Sequence, residues 1–255
     1  MSRIVHVHLL PDLIPADAVA GKTAVIIDVL RASSTIVTAL DHGAIAVLPC
    51  GDPTEAKRLR NSSPGEPLLL GGERHGVRIE GFDLGNSPAE YTPEVVAGRR
   101  IVFTTTNGTR ALLKCRGAAQ IVIGCWLNLQ RLTSWLAAQA LEIHLVCAGT
   151  DGIVSGEDVL AAGAMVQQLA ALTGANLELN DSAAIARGAA VQLLGPATDD
   201  RARLADYFAN TQGGRNLIAI RQHSDLPLCA AISSSQCVPL LDPSGSELRQ
   251  DPTTQ

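Results

Sequence analysis

An acid, an arginine and two serines follow a short apolar segment near the start of the chain. Residues 25–27 are apolar and β-branched, which is typical of a strand buried on both faces, and Asp28 comes directly after them. Arg31, Ser33 and Ser34 follow where the next helix would begin. Helix N-termini favour anions, and ligands of open α/β sheets bind beyond the carboxyl ends of the strands. The segment therefore predicts a metal ion beside a phosphate, although an N-capped helix after an acidic turn would give the same pattern.

A second polar segment, TTTNGTR, begins at the end of the apolar residues 100–103. Thr105, Thr106, Asn107 and Gly108 combine hydroxyl groups, an amide and accessible backbone, which suits an anion cradle. The P-loop pattern G-x-x-x-x-G-K-[ST] is absent, and so is the dinucleotide-binding pattern G-x-G-x-x-G. An N-capped helix after a threonine-rich strand remains an alternative explanation.

Several acids in the loops could hold a cation. Those that we select as metal ligands are Asp28, Glu73, Asp151 and Glu157. No cysteine or histidine joins them at a metal-ligand spacing, and a set of oxygen ligands favours Mg²⁺. Asp158 has a structural explanation, because Ser155 and Asp158 match the S-x-x-[DE] capping box at a helix start.

Two short patterns suggest other phosphatase chemistries. Arg74, His75 and Gly76 spell R-H-G, the nucleophile signature of metal-independent histidine phosphatases, and this reading remains an alternative. Cys125 and Arg131 have the C-x5-R spacing of cysteine-dependent phosphatases. We reject that second reading, because bulky residues stand where a phosphate loop needs glycines and small residues.

Apolar strand-like segments alternate with helical patterns along most of the chain, which predicts right-handed βαβ units. We expect an α/β fold with three layers, α/β/α, around a largely parallel or mixed sheet. A helix-rich portion spans residues 181–230. The sequence predicts a single domain over residues 1–241 and a polar, mobile tail over residues 242–255.

Four polar loops follow four predicted strands, at Asp28, Gly71, Thr104 and Ala148. If the strands are parallel, all four loops open at one edge of the sheet. The loop from residue 71 to residue 91 is long for a compact domain, and such loops are usually functional. These loops would therefore form the site.

Composition excludes several classes of partner. The chain has 255 residues, a net charge of −5 and 46% apolar residues, with no basic stripe that would bind nucleic acid. No apolar run approaches the roughly 20 residues that span a bilayer, and no signal peptide is evident. Six scattered cysteines indicate free thiols. We predict a cytoplasmic protein with a small anionic substrate and no nucleic-acid or membrane partner; the sequence is compatible with a homo-oligomer.

Four segments resemble the motifs of the 2-phosphosulfolactate phosphatase family. They are VIIDVLRASST, GGERHGVRIEGFDLGNSPAEY, TTTNGTRAL and CAGTDGIVSGEDVLAAG, and they occur in the family order between residues 25 and 163. The resemblance implies a magnesium-dependent hydrolase that acts on the phosphate monoester of a small sulfonated hydroxy acid. In that family the reaction belongs to coenzyme M biosynthesis.

The residue patterns and the resemblance together give an expected site. Mg²⁺ would be bound by Asp28 and other loop acids, while Arg31 and the 105–108 cradle hold the phosphoryl oxygens. We expect Asp28, Arg31 and Asn107 to be catalytic. The residues expected to bind substrate are Ser33, Ser34, Arg74, Arg78, Thr105, Thr106 and Gly108. Arg74 and Arg78 would take the carboxylate or sulfonate.

Two questions stay open from the sequence. Either a water molecule or Asp28 itself could attack phosphorus. A non-catalytic module that binds a phosphorylated metabolite would use the same cradle and arginines. Clustered acids argue against such a module, because uncompensated carboxylates repel phosphate.

Overall fold

The computed structural model describes residues 3–63, 65–66, 68–174, 177–195 and 200–254. Within these residues, eleven strands form one mixed sheet, and helices cover both of its faces. This confirms the predicted three-layer α/β fold. None of the helices in the described ranges combines the length and the apolar character needed to cross a membrane.

The strands, numbered in chain order, are β1 (Arg3–His8), β2 (Thr23–Ile27), β3 (Ala46–Pro49), β4 (Leu68–Arg74), β5 (Val77–Arg78), β6 (Arg100–Thr104), β7 (Gln120–Gly124), β8 (Ile143–Cys147), β9 (Leu177–Leu179), β10 (Pro239–Leu241) and β11 (Leu248–Gln250). The helices are α1 (Ala32–Asp41), α2 (Pro53–Ser62), α3 (Pro93–Val96), α4 (Gly108–Lys114), α5 (Leu129–Ala138), α6 (Gly156–Thr173), α7 (Asp181–Leu194), α8 (Arg201–Ala209), α9 (Gln212–Ala219) and α10 (Asp225–Cys229).

The sheet consists of two groups of parallel strands joined by an antiparallel hairpin. Its order is β5-β4-β6-β3-β11-β10-β7-β2-β8-β1-β9. Strands β4, β6 and β3 are parallel to one another, and so are β7, β2, β8, β1 and β9. Three successive antiparallel pairings, β3 with β11, β11 with β10 and β10 with β7, separate the groups. The strands of the two groups therefore run in opposite directions along the sheet.

This topology corrects the expectation that all four loops open at one edge of a parallel sheet. Helix α1 contacts both β7 and β3, and α4, which follows β6, contacts β2. One apolar core joins these helices to strands of both groups; it includes Ile26, Val37, Ile101 and Leu112. Through this packing the ends of β2 and β6 lie at the same place in the molecule. A second core on the opposite face joins β1, β2 and β8 to α5, α6 and α7.

The segment expected to be a mobile tail is instead part of the sheet. Residues 242–254 contain β11, and Leu248 within it is fully buried. Asp251 is also buried, and its Oδ2 accepts a hydrogen bond from Trp135 Nε1 at 2.6 Å. Polar composition suggested a tail because a three-residue strand carries too few apolar residues to stand out.

The long polar loop also begins with regular structure. Strand β4 extends through Arg74, four residues beyond the apolar segment, and pairs with β5. His75 and Gly76 are the two residues between the strands, and both have positive φ, 53° and 78°. Two positive φ values are typical of a type I′ hairpin turn. The R-H-G triplet therefore coincides with a tight turn.

Candidate active site

A cavity of about 280 Å³ lies where the loops after β2, β4, β6 and β8 meet helix α9. Residues from all four loops form its wall. Those predicted from the sequence are Asp28, Arg31, Glu73, Thr106, Asn107 and Asp151. Because these loops follow strands of both groups, the packing of α1 and α4 against both groups is what brings the cavity wall together.

Asp28 lies at the end of β2, with only 6% of its surface exposed. Its Oδ1 accepts a hydrogen bond from Ala32 N at 3.3 Å. Burial, together with the charges of Glu73 and Glu157, raises the pKa of Asp28 to about 7. A Cβ atom added at Gly108 would lie 2.9 Å from Asp28 Oδ2, so the first residue of α4 must be small. Asp28 is thus a buried carboxyl whose proton is readily exchanged near neutral pH.

Glu73 connects the β4–β5 hairpin to the loop after β6. Its Oε2 accepts a hydrogen bond from Gly76 N at 2.7 Å, and its Oε1 accepts one from Thr106 N at 2.8 Å. Each carboxylate oxygen retains lone pairs for a further partner. Glu73 therefore both fixes the cavity wall and remains able to bind a cation.

Asp151 lies in a second tight turn at the cavity. Thr150 and Ile153 pair through two backbone hydrogen bonds, with Asp151 and Gly152 between them at φ 52° and 78°. Asp151 is exposed, and its N–H donates to Asn107 Oδ1 at 3.3 Å. Asp-Gly is a preferred sequence for a type I′ turn, so the type of this residue has a structural explanation as well as a functional one.

Glu157 and Asp158 occupy the first turn of α6 and are both almost completely buried. Asp158 accepts hydrogen bonds from Val29 N at 2.8 Å and Gly149 N at 3.0 Å, so it links the ends of β2 and β8. The capping box expected for Asp158 is not formed, because these donors lie outside its own helix. Glu157 lies behind Gly213 of the cavity wall. A Cβ atom added at Gly213 would lie 2.2 Å from Glu157 Oε1, so this position requires a glycine.

Buried oxygen atoms without hydrogen-bond partners concentrate at this site. In the described part of the chain, the buried side-chain oxygens that lack a partner are Asn86 Oδ1, Thr106 Oγ1 and Glu157 Oε2. Asn86 and Thr106 line the cavity, and the charge of Glu157 acts on Asp28. Buried polar atoms are normally paired, so three unpaired oxygens at or next to one cavity are positions where a ligand or cation could bind.

Arg31 reaches the cavity from the residue before α1 and is held by several contacts. Its Nη1 lies 2.7 Å from Asp225 Oδ2, and the two side chains are 3% and 0% exposed. Its Nη2 donates to Gly76 O at 2.7 Å, and Ser87 Oγ donates to Asp225 Oδ1 at 2.6 Å. The ion pair and the hydrogen bond to Gly76 fix the guanidinium at the cavity wall.

Some predicted binding residues lie outside the cavity wall. Ser33 Oγ accepts from Asp28 N and donates to Ile26 O, while Ser34 Oγ donates to Val29 O, so both serines stabilise the strand-to-helix turn. The backbone N–H of Thr105 donates a hydrogen bond to Thr109 Oγ1, with the nitrogen 3.1 Å from the oxygen. Their proposed roles in binding remain predictions.

The two arginines of the hairpin also point elsewhere. Arg74 donates to Glu73 O at 2.7 Å and to Thr104 Oγ1 at 2.9 Å. Arg78 is exposed, with Nη1 3.4 Å from Asp83 O. Between them His75 is exposed and lines the cavity.

Sequence reasoning missed Asn86, Asp225 and the residues of α9. Asn86 lies in the long loop, where its amide offered a signal that could have been used. Asn216 and Asp225 lie in the helix-rich C-terminal part of the chain, far from Arg31 in sequence. No sequence pattern indicates that they lie near Arg31 or the cavity. Cys125 is fully buried, and burial raises its pKa to about 11, so it has no reactive thiolate.

One further group of potential metal ligands lies elsewhere. Among the described residues, the histidines, cysteines and acids that bring three ligand atoms within 4.8 Å of one another are His6, Glu142 and His144. The chain therefore contains a group that could hold a divalent metal ion. The carboxylates around Asp28 are not part of it.

Comparison with known proteins identifies the family. The model of the 2-phosphosulpholactate phosphatase family matches residues 8–244, which is most of the chain. The chain belongs to this family. Apart from residues 213–220, the residues that line its Asp28 cavity belong to the segments that carried the family resemblance.

Relatives in the family cover almost the whole chain. The chain is 40% identical over 226 residues to a probable 2-phosphosulfolactate phosphatase of Symbiobacterium thermophilum, which is 89% of this chain and 94% of that protein. It is 38% identical over 245 residues to one from Synechococcus sp. (strain RCC307), covering 95% and 98% of the two chains. A third, from Clostridium perfringens (strain SM101), is 41% identical over 185 residues, covering 72% and 74%.

Proposed function

We propose that this protein is a magnesium-dependent phosphatase that hydrolyses 2-phosphosulfolactate, or a related small phosphorylated hydroxy acid, to the hydroxy acid and phosphate. Family membership and the names of the relatives support the substrate class. The reaction would belong to coenzyme M biosynthesis.

The observation that carries the proposal is the uncompensated negative charge around the cavity. Asp28, Glu73 and Glu157 bring three carboxylates together, and Asp225 neutralises Arg31. Glu157 Oε2 is buried without a partner. A divalent cation would satisfy these oxygens, and the absence of nitrogen or sulfur donors among them favours Mg²⁺.

Each residue would have a distinct role. Asp28, Glu73 and Glu157, with Asp151 at the rim, would hold Mg²⁺, which polarises the phosphoryl oxygen and lowers the pKa of a bound water. Arg31 would bind the phosphoryl oxygens as their charge grows, and Thr106 Oγ1 and the Asn107 amide would donate to them. Arg74 and Arg78 remain proposed for the second anionic group, and their side chains would have to reorient towards the cavity.

The test is phosphate release from 2-phosphosulfolactate and from plain monoesters, with Mg²⁺ or with EDTA. We expect EDTA to abolish release and added Mg²⁺ to restore it. No release from any monoester would favour a binding module without catalysis. A single turnover followed by a search for phosphate on the protein would separate attack by Asp28 from attack by water.

The position of His75 at the cavity wall favours one alternative, a metal-independent histidine phosphatase. That enzyme would retain full activity in EDTA and lose it in His75→Ala. The magnesium proposal predicts at most a modest loss in His75→Ala, because the hairpin turn needs only the backbone at this position.

A further inference from the structure

Three histidines form a row on one face of the sheet, at some distance from the Asp28 cavity. His6 and His8 alternate along β1, and His144 on β8 is the direct parallel partner of His6. Their rings stack, with centroids 4.8 Å apart for His6 and His144 and 5.2 Å apart for His8 and His144. Strand positions on this face normally carry apolar residues in a three-layer fold, so a row of imidazoles requires an explanation.

The row ends at one carboxylate. Glu142 Oε1 lies 3.0 Å from His6 Nε2 and 3.2 Å from His144 Nε2. Ligand atoms of a tetrahedral zinc ion lie about 3.3 Å apart, because zinc–ligand distances are about 2.0–2.1 Å. The separations between the carboxylate oxygen and each of the two nitrogens are therefore already close to those that such an ion requires, and all three ligand atoms lie within 4.8 Å of one another.

His8 supports this arrangement without being one of the three. His8 Nε2 and His144 Nδ1 lie 2.9 Å apart, and both side chains are buried. When Nδ1 of His144 donates this hydrogen bond, its Nε2 is left with a free lone pair. Metal-bound histidines are usually oriented by such a bond from the second ring nitrogen.

The three ligands leave room for a fourth. A cavity of about 320 Å³ adjoins them, lined on its other side by Leu13, Pro15 and Ala18. The side chains of His6 and Glu142 are 31% and 19% exposed, which gives an ion a path of entry. The second oxygen of Glu142 is 2.7 Å from Lys22 Nζ, so the carboxylate would bind through Oε1 alone.

We propose that His6, Glu142 and His144 form a second metal site, for a zinc-class transition-metal ion with an open position facing this cavity. Two imidazoles and a carboxylate suit zinc, cobalt or nickel rather than magnesium. The site is separate from the Asp28 cavity: Ala24 is the partner of His144 on β2, and Asp28 lies four residues further along. Four residues of strand span about 13 Å. The proposal does not depend on the proposed phosphatase activity.

Cobalt binding to the full-length protein tests the site. Co²⁺ is titrated in the presence of excess Mg²⁺, which occupies oxygen-only sites, and visible absorption reports tetrahedral nitrogen-containing coordination. We expect saturation at one Co²⁺ per chain and its displacement by one Zn²⁺. His6→Gln and Glu142→Gln should each weaken Zn²⁺ binding by about 10- to 100-fold or more. The matched control is His223→Gln, since His223 is an exposed histidine outside the cluster.

Two results would overturn the inference. Wild-type protein without saturable Co²⁺ or Zn²⁺ binding would show that the row is only a hydrogen-bonded network. Equal affinities for His6→Gln and His223→Gln would show that the ion binds elsewhere.

Phosphate release provides a separate measurement: His6→Gln should retain the Mg²⁺-dependent rate, and loss of that rate in the folded variant would contradict a site separate from Asp28. Lys22→Met should tighten Zn²⁺ binding, because it removes a positive charge next to Glu142.

Discussion

Asp28 is the residue on which the proposed chemistry depends most. Asp28→Asn keeps the size of the side chain and removes its charge, so phosphate release should fall by about 100-fold or more. The variant should also lose Mg²⁺ binding, measured by calorimetry. Activity within a few-fold of wild type would move the metal site away from Asp28.

The same variant tests the electrostatics of the empty cavity. The pKa of Asp28 is about 7 in the folded protein against an ordinary value of 3.8. Between these values the folded protein holds a proton that the unfolded chain has lost, so this group's contribution to stability falls as pH rises towards 7. In EDTA, Asp28→Asn should therefore gain stability relative to wild type between pH 5 and pH 8, measured by urea unfolding. If the difference in stability between Asp28→Asn and wild type did not change with pH, this would argue against a buried carboxyl with a raised pKa at position 28.

Arg31 contacts Asp225 and Gly76 O with its two terminal nitrogens, an arrangement that a lysine cannot reproduce. Arg31→Lys should lower kcat by roughly 10- to 150-fold for every monoester, corresponding to the loss of one charge-assisted bond of about 1.5–3 kcal/mol. The control is Arg78→Lys, on the exposed part of the hairpin. Equal losses of p-nitrophenyl phosphate turnover in both variants would contradict a specific role for Arg31.

At the scale of elements, the β4–β5 turn holds Glu73 at the cavity wall, because the N–H of Gly76 in this turn donates to Glu73 Oε2. Gly76→Ala would place a Cβ 2.7 Å from Ile220 Cδ1, at a φ of +78°. The strain of about 1–2 kcal/mol should shift the Gly76 N–H away from Glu73 and raise KM. Gly98→Ala is the control, because Gly98 has φ +70° and open space around its Cα. Both variants should lose similar stability, and only Gly76→Ala should change KM.

Most elements could be predicted from hydrophobic pattern alone, and the exceptions have physical causes. The apolar run at residues 143–147 predicts a strand, and the pattern of residues 181–194 predicts a helix that stops before Gly195 and Pro196; β8 and α7 have these bounds. The pattern also predicts a short helix at residues 217–221, whereas α9 spans Gln212–Ala219. Adjacent glycines disguise its start, and the close approach of helix α8 requires one of them: a Cβ on Gly214 would lie 1.8 Å from Phe208 O.

The site could be predicted only in part. Asp28, Glu73, Thr106, Asn107 and Asp151 follow strands, and the rule that ligands bind beyond strand ends was sufficient to select them. Tertiary packing decided the rest. The positions of α9 and α10 bring Asn216 to the cavity and Asp225 to Arg31, and no local pattern encodes either position.

At the scale of the whole molecule, β10 and β11 join the two groups of strands. Leu248→Ala removes a fully buried side chain at this junction and should lower the free energy of unfolding by about 2–5 kcal/mol. Leu113→Ala, at a 39% exposed position, should cost less than about 0.5 kcal/mol. Urea unfolding at a fixed Mg²⁺ concentration measures both. Equal losses would show that Leu248 contributes no more to stability than an exposed leucine does.

The position of this hairpin in the chain has a consequence for biosynthesis. Among the described strands, no pairing other than those of β10 and β11 connects the group that carries Asp28 with the group that carries Glu73. Strands β10 and β11 follow all the other described strands in the chain, so the ribosome makes them after those strands. A nascent chain can thus form each group of strands before the hairpin that pairs with both groups has been made. The sheet beneath the catalytic pocket would be completed only then, so a nascent chain that lacks these two strands should have no phosphatase activity.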